Sequence, residues 1–172
     1  ADVLEVGVPF SDPLADGPVI QRATERALAS HTTLSGVLDL LGEMRGSLRP
    51  PVVIFSYANP ILRLGAERFA DRAKEADVDG VLVLDLPIEE ADDFRNMLAK
   101  RGIDTILLLS PTTTDDRLRK AAALGSGFLY AISRLGVTGA RDRIADGARE
   151  MVERIRRVSP LPVALGFGIS KP

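Results

Sequence analysis

The residues best suited to chemistry lie between Glu5 and Pro18, in the stretch E-V-G-V-P-F-S-D-P-L-A-D-G-P. It holds three carboxylates, Glu5, Asp12 and Asp16. Glu5 interrupts the run Val3-Leu4-Glu5-Val6-Gly7-Val8, where every neighbour is apolar or glycine. A parallel strand is normally covered on both faces, so this pattern predicts a buried carboxylate. Such a group is costly unless it is paired or used. Burial also disfavours its charged form and raises its proton affinity toward the range useful for proton transfer. Asp16 follows on a loop, between Ala15 and Gly17-Pro18. One carboxylate on a strand and a second on a loop make an acid/base pair. Asp12 is expected to shape the Ser11-Asp12-Pro13 turn rather than to touch substrate.

Composition narrows the chemistry. The chain has 172 residues, enough for one domain with a core. The net charge is −2 and no basic stripe stands out, which argues against nucleic acid as partner. There is no cysteine, which excludes disulfides, thiolate metal sites and a cysteine nucleophile within these residues. The single histidine, His31, cannot form a multi-histidine metal site and is expected at a helix end on the surface. No apolar run approaches the roughly 18 residues of a membrane span. No signal-peptide pattern opens the chain, so a cytoplasmic globular domain is expected. Ala1 stands where a Met would begin a complete chain, and Lys171-Pro172 falls where a new helix would start. Both ends therefore read as truncated.

Short apolar runs alternate with amphipathic helices. Strands are expected over 3–8, 52–55, 80–85, 105–109, 127–132 and 162–165. Helices are expected over 18–29, 34–44, 66–76, 89–101, 115–124 and 146–158, from apolar residues at helical spacing. Ile20, Ala23, Ala27 and Leu28 would form the inward side of the first helix, which Pro18 opens. Tyr57-Ala58-Asn59-Pro60 reads as a loop, Gly102 as a helix C-cap, and Thr113 with Asp116 as a capping box. A polar, glycine-bearing loop follows Ser133.

Strands joined by helices must be parallel, with right-handed crossovers. An open doubly wound sheet and a (β/α)8 TIM barrel both fit. Glu5, Tyr57, Asp85, Tyr130 and Gly166 all fall at or near the C-terminal ends of different strands, and a barrel gathers such residues at one mouth. Gly166-x-Gly168-x-x-Lys171 lacks the third glycine of a dinucleotide fingerprint, and no P-loop is present. The barrel is the expected fold, in one domain over 1–172.

The 5–18 stretch resembles the signature of the tryptophan synthase alpha subunit family. The segments Y-A-N-P (57–60), S-R-L-G-V-T-G (133–139) and G-F-G-I-S (166–170) follow in that family's order and spacing. The resemblance covers essentially the whole chain. It implies a (β/α)8 barrel that is incomplete here, with about six of eight strands, from the family's second strand to just past its seventh. Six strands cannot close at normal barrel geometry and would expose two sheet edges. The family's phosphate loop after strand eight is absent.

The resemblance implies retro-aldol cleavage of indole-3-glycerol phosphate into indole and glyceraldehyde 3-phosphate. It makes Glu5 the proton-moving glutamate and Asp16 the aspartate that accepts from the indole N–H. It places Tyr130 beside substrate, Thr138 on a closing loop in contact with Asp16, and Gly139 and Gly168 as backbone phosphate donors. Phe55 and Phe167 would line the indole pocket or belong to plain core. Tyr57 and Asn59 would support from their loop, or simply form a turn. Asp85 matches an aspartate near the loop that meets the beta subunit, or caps the turn after its own strand. Arg134 reads as a solvated charge. No metal or cofactor is implied; pyridoxal phosphate belongs to the partner beta subunit of an alpha2-beta2 complex. Two other readings remain: an inactive fragment able only to dock on a partner, and another phosphate-handling barrel of the thiamine phosphate synthase kind. The acidic stretch, and the lack of a diphosphate- or metal-binding acidic cluster, argue against the last.

Overall fold

A computed structural model describes residues 1–132 and 147–166. Its elements are β1 (Leu4–Gly7), α1 (Pro18–Ala29), α2 (Leu34–Glu43), β2 (Val52–Ser56), α3 (Ala58–Leu64), α4 (Ala66–Glu75) and β3 (Gly80–Val83). A short 3-10 turn (Ile88–Glu90) precedes α5 (Asp92–Ala99), β4 (Asp104–Thr105) and β5 (Leu107–Leu109). The remainder is α6 (Asp115–Leu124), β6 (Leu129–Ile132), α7 (Ala148–Arg156) and β7 (Val163–Gly166). Two compact units result, one from Ala1–Ser11 with Thr24–Thr105, the other from Asp12–Ala23 with the chain from Ile106 onward.

The first unit holds a four-stranded sheet in the order β1-β2-β3-β4, parallel throughout. Residues i and i+2 of a strand share a face, so the register separates two sets of side chains. Leu4, Val6, Val52, Ile54 and Val81 belong to one hydrophobic cluster with Leu38 of α2, Phe69 of α4 and Leu98 of α5. Phe69 and Leu98 are fully buried, and the Phe69 ring stacks on Phe94 with centroids 6.1 Å apart. The other face carries Glu5 and Gly7, registered with Val53 and Phe55 of β2.

Glu5 is exposed, which corrects the expected burial. The expectation treated every strand as interior to the sheet. Val53 and Leu82, on Glu5's face of the interior strands, are 3% and 0% exposed. Glu5 lies on β1, which pairs only with β2 among the described residues.

The second unit holds the parallel sheet β5-β6-β7, which α7 packs against, with Met151 and Ile155 of α7 and Leu118 and Ala121 of α6 buried. The single strand expected over 105–109 is two strands. Asp104 and Thr105 pair with β3, whereas Leu107, Leu108 and Leu109 pair with β6. A stagger between successive parallel ladders changes a strand's partner along its length in this way.

Three more local expectations change. Tyr57-Ala58-Asn59-Pro60 opens a helix; Pro60 is tolerated there because the first-turn N–H groups have no intrahelical acceptor. The cap of α6 is Thr114, whose hydroxyl accepts from Arg117 N, one residue along from the expected box. No residue of α1 is buried, and Ile20 and Ala23 are exposed, so the expected inward side is realised only by half-buried Ala27 and Leu28. The predicted limits of α1 and α6 match the structure, Gly102 is left-handed at φ 71°, and His31 is an exposed helix-end residue at φ 58°.

Arginine–carboxylate pairs fasten neighbouring helices. Arg72 of α4 meets Asp39 of α2, and Arg101 meets both Glu67 and Asp71 of α4. Arg154 of α7 bonds Asp115 at 2.8 Å and also donates to the carbonyls of Pro111 and Thr113. The hydrogen bond from Arg154, and then its charge, hold the Asp115 carboxyl below the usual carboxylate range. A depressed carboxylate stabilises the fold above its unfolded pKa and loses that contribution as pH falls below about 4. Asp115→Asn is therefore expected to flatten the acid limb of the stability curve slightly, read as urea midpoints between about pH 3 and 7.

Candidate functional site

In the first unit, Glu5 lies on a sheet face that is otherwise largely apolar, and Tyr57, Asn59 and Asp85 lie just past the strand ends. Glu5 pairs with Val53, and Gly7, two residues on, pairs with Phe55. Glu5 and half-buried Phe55 thus share a face, with the ring displaced two residues toward the C-terminal end of β2. A carboxylate beside an aromatic wall can handle protons next to a flat apolar ligand.

Tyr57 follows β2 directly. It is 3% exposed, and its ring lies 5.1 Å from that of Phe10, at a tilt of 35°. Asn59 is exposed and lines a cleft of about 400 Å³ together with Phe10, Ser11, Thr33 and Arg63. Asp85, in the turn after β3, accepts a hydrogen bond from Ala58 N at 2.7 Å. It does cap a helix, but α3 after the neighbouring strand rather than its own next turn.

The second unit holds the segment with Asp16, which is half-buried. Its carbonyl accepts from the Gln21 side chain at 2.8 Å, and Gly17, behind it, starts the α1 ladder by accepting from Gln21 N. The same unit holds Tyr130, 7% exposed, on β6 opposite Ala164. Its ring meets that of Phe128 at 6.4 Å. The Tyr130 ring leans along β7 onto Gly166, where a Cβ would lie 2.0 Å from the hydroxyl oxygen. Gly166 is buried and ends β7, so its missing side chain is the space that Tyr130 occupies.

Thr138, Gly139, Phe167 and Gly168 lie outside the described residues. The site residues that sequence reasoning missed are Phe10, the ring partner of Tyr57, and Gly166 as the seat of Tyr130. Gly166 opens a quoted motif, but only the three-dimensional fit reveals its partner. Phe10 lies within the quoted 5–18 stretch, but its residue type alone does not single it out, since a lone aromatic after a strand is ordinary.

Parallel strands joined by helices, with polar groups in the turns past the strand ends, fit a barrel-type scaffold. The family model for the tryptophan synthase alpha chain matches residues 1–172. Curated tryptophan synthase alpha chains from Geotalea daltonii and Methylococcus capsulatus are 49% and 50% identical over 172 and 170 residues. The matches cover 100% and 98% of this chain but 65% and 64% of those proteins. Among solved structures, the tryptophan synthase complex from Pyrococcus furiosus matches with TM-score 0.90 at 37% identity, covering 99% of this chain and 68% of that one. The tryptophan synthase subunit alpha from Legionella pneumophila matches with TM-score 0.85 at 40% identity, covering 100% and 63%. The chain belongs to the tryptophan synthase alpha chain family. Its fold class is that of the (β/α)8 barrel, of which it carries part, and it spans about 65% of the length of the relatives it matches.

Proposed function

We propose that this chain carries out the alpha reaction of its family, the retro-aldol cleavage of indole-3-glycerol phosphate to indole and glyceraldehyde 3-phosphate. The observation that carries the reading is that exposed Glu5, in the acidic stretch shared with the family, and half-buried Phe55 share one sheet face.

The Glu5 carboxyl gives a proton to indole C3, and the ring nitrogen takes up the positive charge. The side-chain hydroxyl then returns its proton to the Glu5 carboxylate. The bond between C3 and the hydroxyl-bearing carbon breaks, its electron pair neutralises the ring cation, and the carbon leaves as an aldehyde. Protons balance, with one gained at C3 and one lost from the hydroxyl. Asp16 accepts from the indole N–H and stabilises the cation where charge develops. By the family resemblance, Tyr130, Phe55 and Phe167 are the residues that contact substrate. By the same resemblance, Gly139 and Gly168 supply backbone N–H groups to the phosphate and Thr138 acts with Asp16. Tyr57, packed on Phe10, and Asn59, which lines the same cleft as Phe10, have a supporting role.

The reading needs no metal or cofactor, and it places pyridoxal phosphate in a beta subunit of an alpha2-beta2 complex. Leu14, Val19 and Ile20, exposed by 78%, 61% and 45% on the acidic loop and the start of α1, support a partner-facing surface there. Both units are taken as parts of one barrel domain, which the unbroken family match supports. A cytoplasmic setting suits this chemistry, and no described helix is long and apolar enough to cross a membrane.

Asp16→Asn is expected to lower kcat about tenfold to a hundredfold, the worth of a hydrogen bond to a charged acceptor. Steady-state kinetics with indole-3-glycerol phosphate read this directly. The whole reading is tested by expressing the gene product that carries these residues in a bacterium lacking only its alpha chain. Growth without indole or tryptophan supports it. Continued dependence on indole, with the protein present in soluble form, overturns it and favours a docking role.

A further inference from the structure

We propose that Asp85 is a positioning residue for the reaction, acting from the end of β3 to hold Tyr57 and, through it, the start of the acidic loop. This rests on the functional reading above. Helix α3 begins at Ala58, and Tyr57, in the N-cap position, makes no side-chain cap of its own. The first N–H groups of a helix need acceptors, and its N-terminus favours negative charge. Asp85 supplies both from the neighbouring strand, accepting from Ala58 N at 2.7 Å. The residue before it completes a clamp: Leu84 N donates to Ser56 O at 2.9 Å.

The turn after β3 thus grips the chain on both sides of Tyr57. Between the two grips, the Ser56 hydroxyl, 1% exposed, donates to Tyr57 O at 2.9 Å. Tyr57 cannot slide along the strand or rotate about its own peptide without breaking one of these bonds. Its buried ring packs on Phe10. Phe10 is where β1, with Glu5, gives way to the loop that leads to Asp16. An exposed aspartate in the turn after β3 thereby holds the aromatic contact made by Phe10, just beyond the strand that carries Glu5, and small misplacements of reacting groups are expensive in rate.

The test is a double-mutant cycle on the gene product that carries these residues, assayed with indole-3-glycerol phosphate. Asp85→Ala removes the acceptor. Ala58→Pro removes the donor without touching the carboxylate. Proline suits the first helical position, and Tyr57 at φ −93° and ψ 161° already has the conformation favoured before proline. Each single variant is expected to lower kcat about tenfold, with KM within about twofold of wild type. The double variant is expected to be no worse than either single one, because both remove the same bond. Asp85→Asn, which keeps an acceptor oxygen, should recover most of the loss.

Wild-type kcat in Asp85→Ala overturns the proposal, as do additive losses in the double variant, which would mean that Asp85 acts through another contact. A rise in KM at unchanged kcat overturns it as well. If Asp85→Ala does not fold, Ala58→Pro carries the test alone, and wild-type kcat in that variant sinks the idea. A wild-type protein that releases no indole removes the functional reading itself, and the positioning role with it. An active wild type with an equally active Asp85→Ala removes only the positioning role.

Discussion

Glu5→Gln is expected to lower kcat for indole-3-glycerol phosphate cleavage by about a thousandfold, within the range for loss of a general acid/base. The amide has the shape of the carboxyl but can neither give a proton to indole C3 nor take one from the hydroxyl. Glu5 is exposed on a strand that pairs only with β2 among the described residues, and glutamine keeps its shape, so the unfolding free energy should stay within about 0.5 kcal/mol of wild type. A large loss of kcat without loss of stability separates chemistry from folding. Turnover near the wild-type rate in Glu5→Gln would remove this residue from the mechanism.

Gly166→Ala is expected to disable the site from the opposite direction, by filling space. A Cβ at 166 would stand 2.0, 2.3 and 2.4 Å from the Oη, Cζ and Cε1 atoms of Tyr130. Real Cβ atoms do not approach so closely, so the ring must swing away or β7 must shift. Tyr130 is 7% exposed and leans on Phe128, which leaves it little room to move. Overpacking of this kind costs about 1–3 kcal/mol, and the reading of Tyr130 beside substrate predicts a rise in KM of about tenfold or more. Tyr130→Phe should not relieve the clash, because the ring carbons remain in the way. Tyr130→Leu should recover stability in the Gly166→Ala background while costing stability alone, a coupling of opposite sign. Urea unfolding of the four proteins measures it. Additive effects would mean that the two residues do not share the space described.

Much of this arrangement was legible in the sequence where local rules decide. Pro18 at the start of α1 and Gly102 after α5 mark helix ends by backbone chemistry alone, and the structure agrees with both. Parallel pairing followed from strands separated by helices. What local pattern could not reveal is where in the sheet each strand lies. Val53 and Glu5 sit side by side in one register, yet Val53 is buried on an interior strand and Glu5 is exposed on β1. The run around Glu5 therefore read as a buried strand although Glu5 itself is exposed.

Partnerships across strands were equally hidden. Asp85 was legible as a capping residue, but the helix it caps begins 27 positions earlier in the chain. Tyr130 was legible as a site residue, whereas its seat on Gly166 depends on the β6–β7 register. Helix α3 was missed because Asn-Pro reads as a turn, and only the trans cap from Asp85 explains why a helix starts there.

The measurement that bears most directly on the central claim is indole release from indole-3-glycerol phosphate, made with and without a tryptophan synthase beta subunit. The account predicts indole and glyceraldehyde 3-phosphate in equal amounts, faster with the partner present and lost in Glu5→Gln. No indole in either condition, from soluble and folded protein, would contradict it.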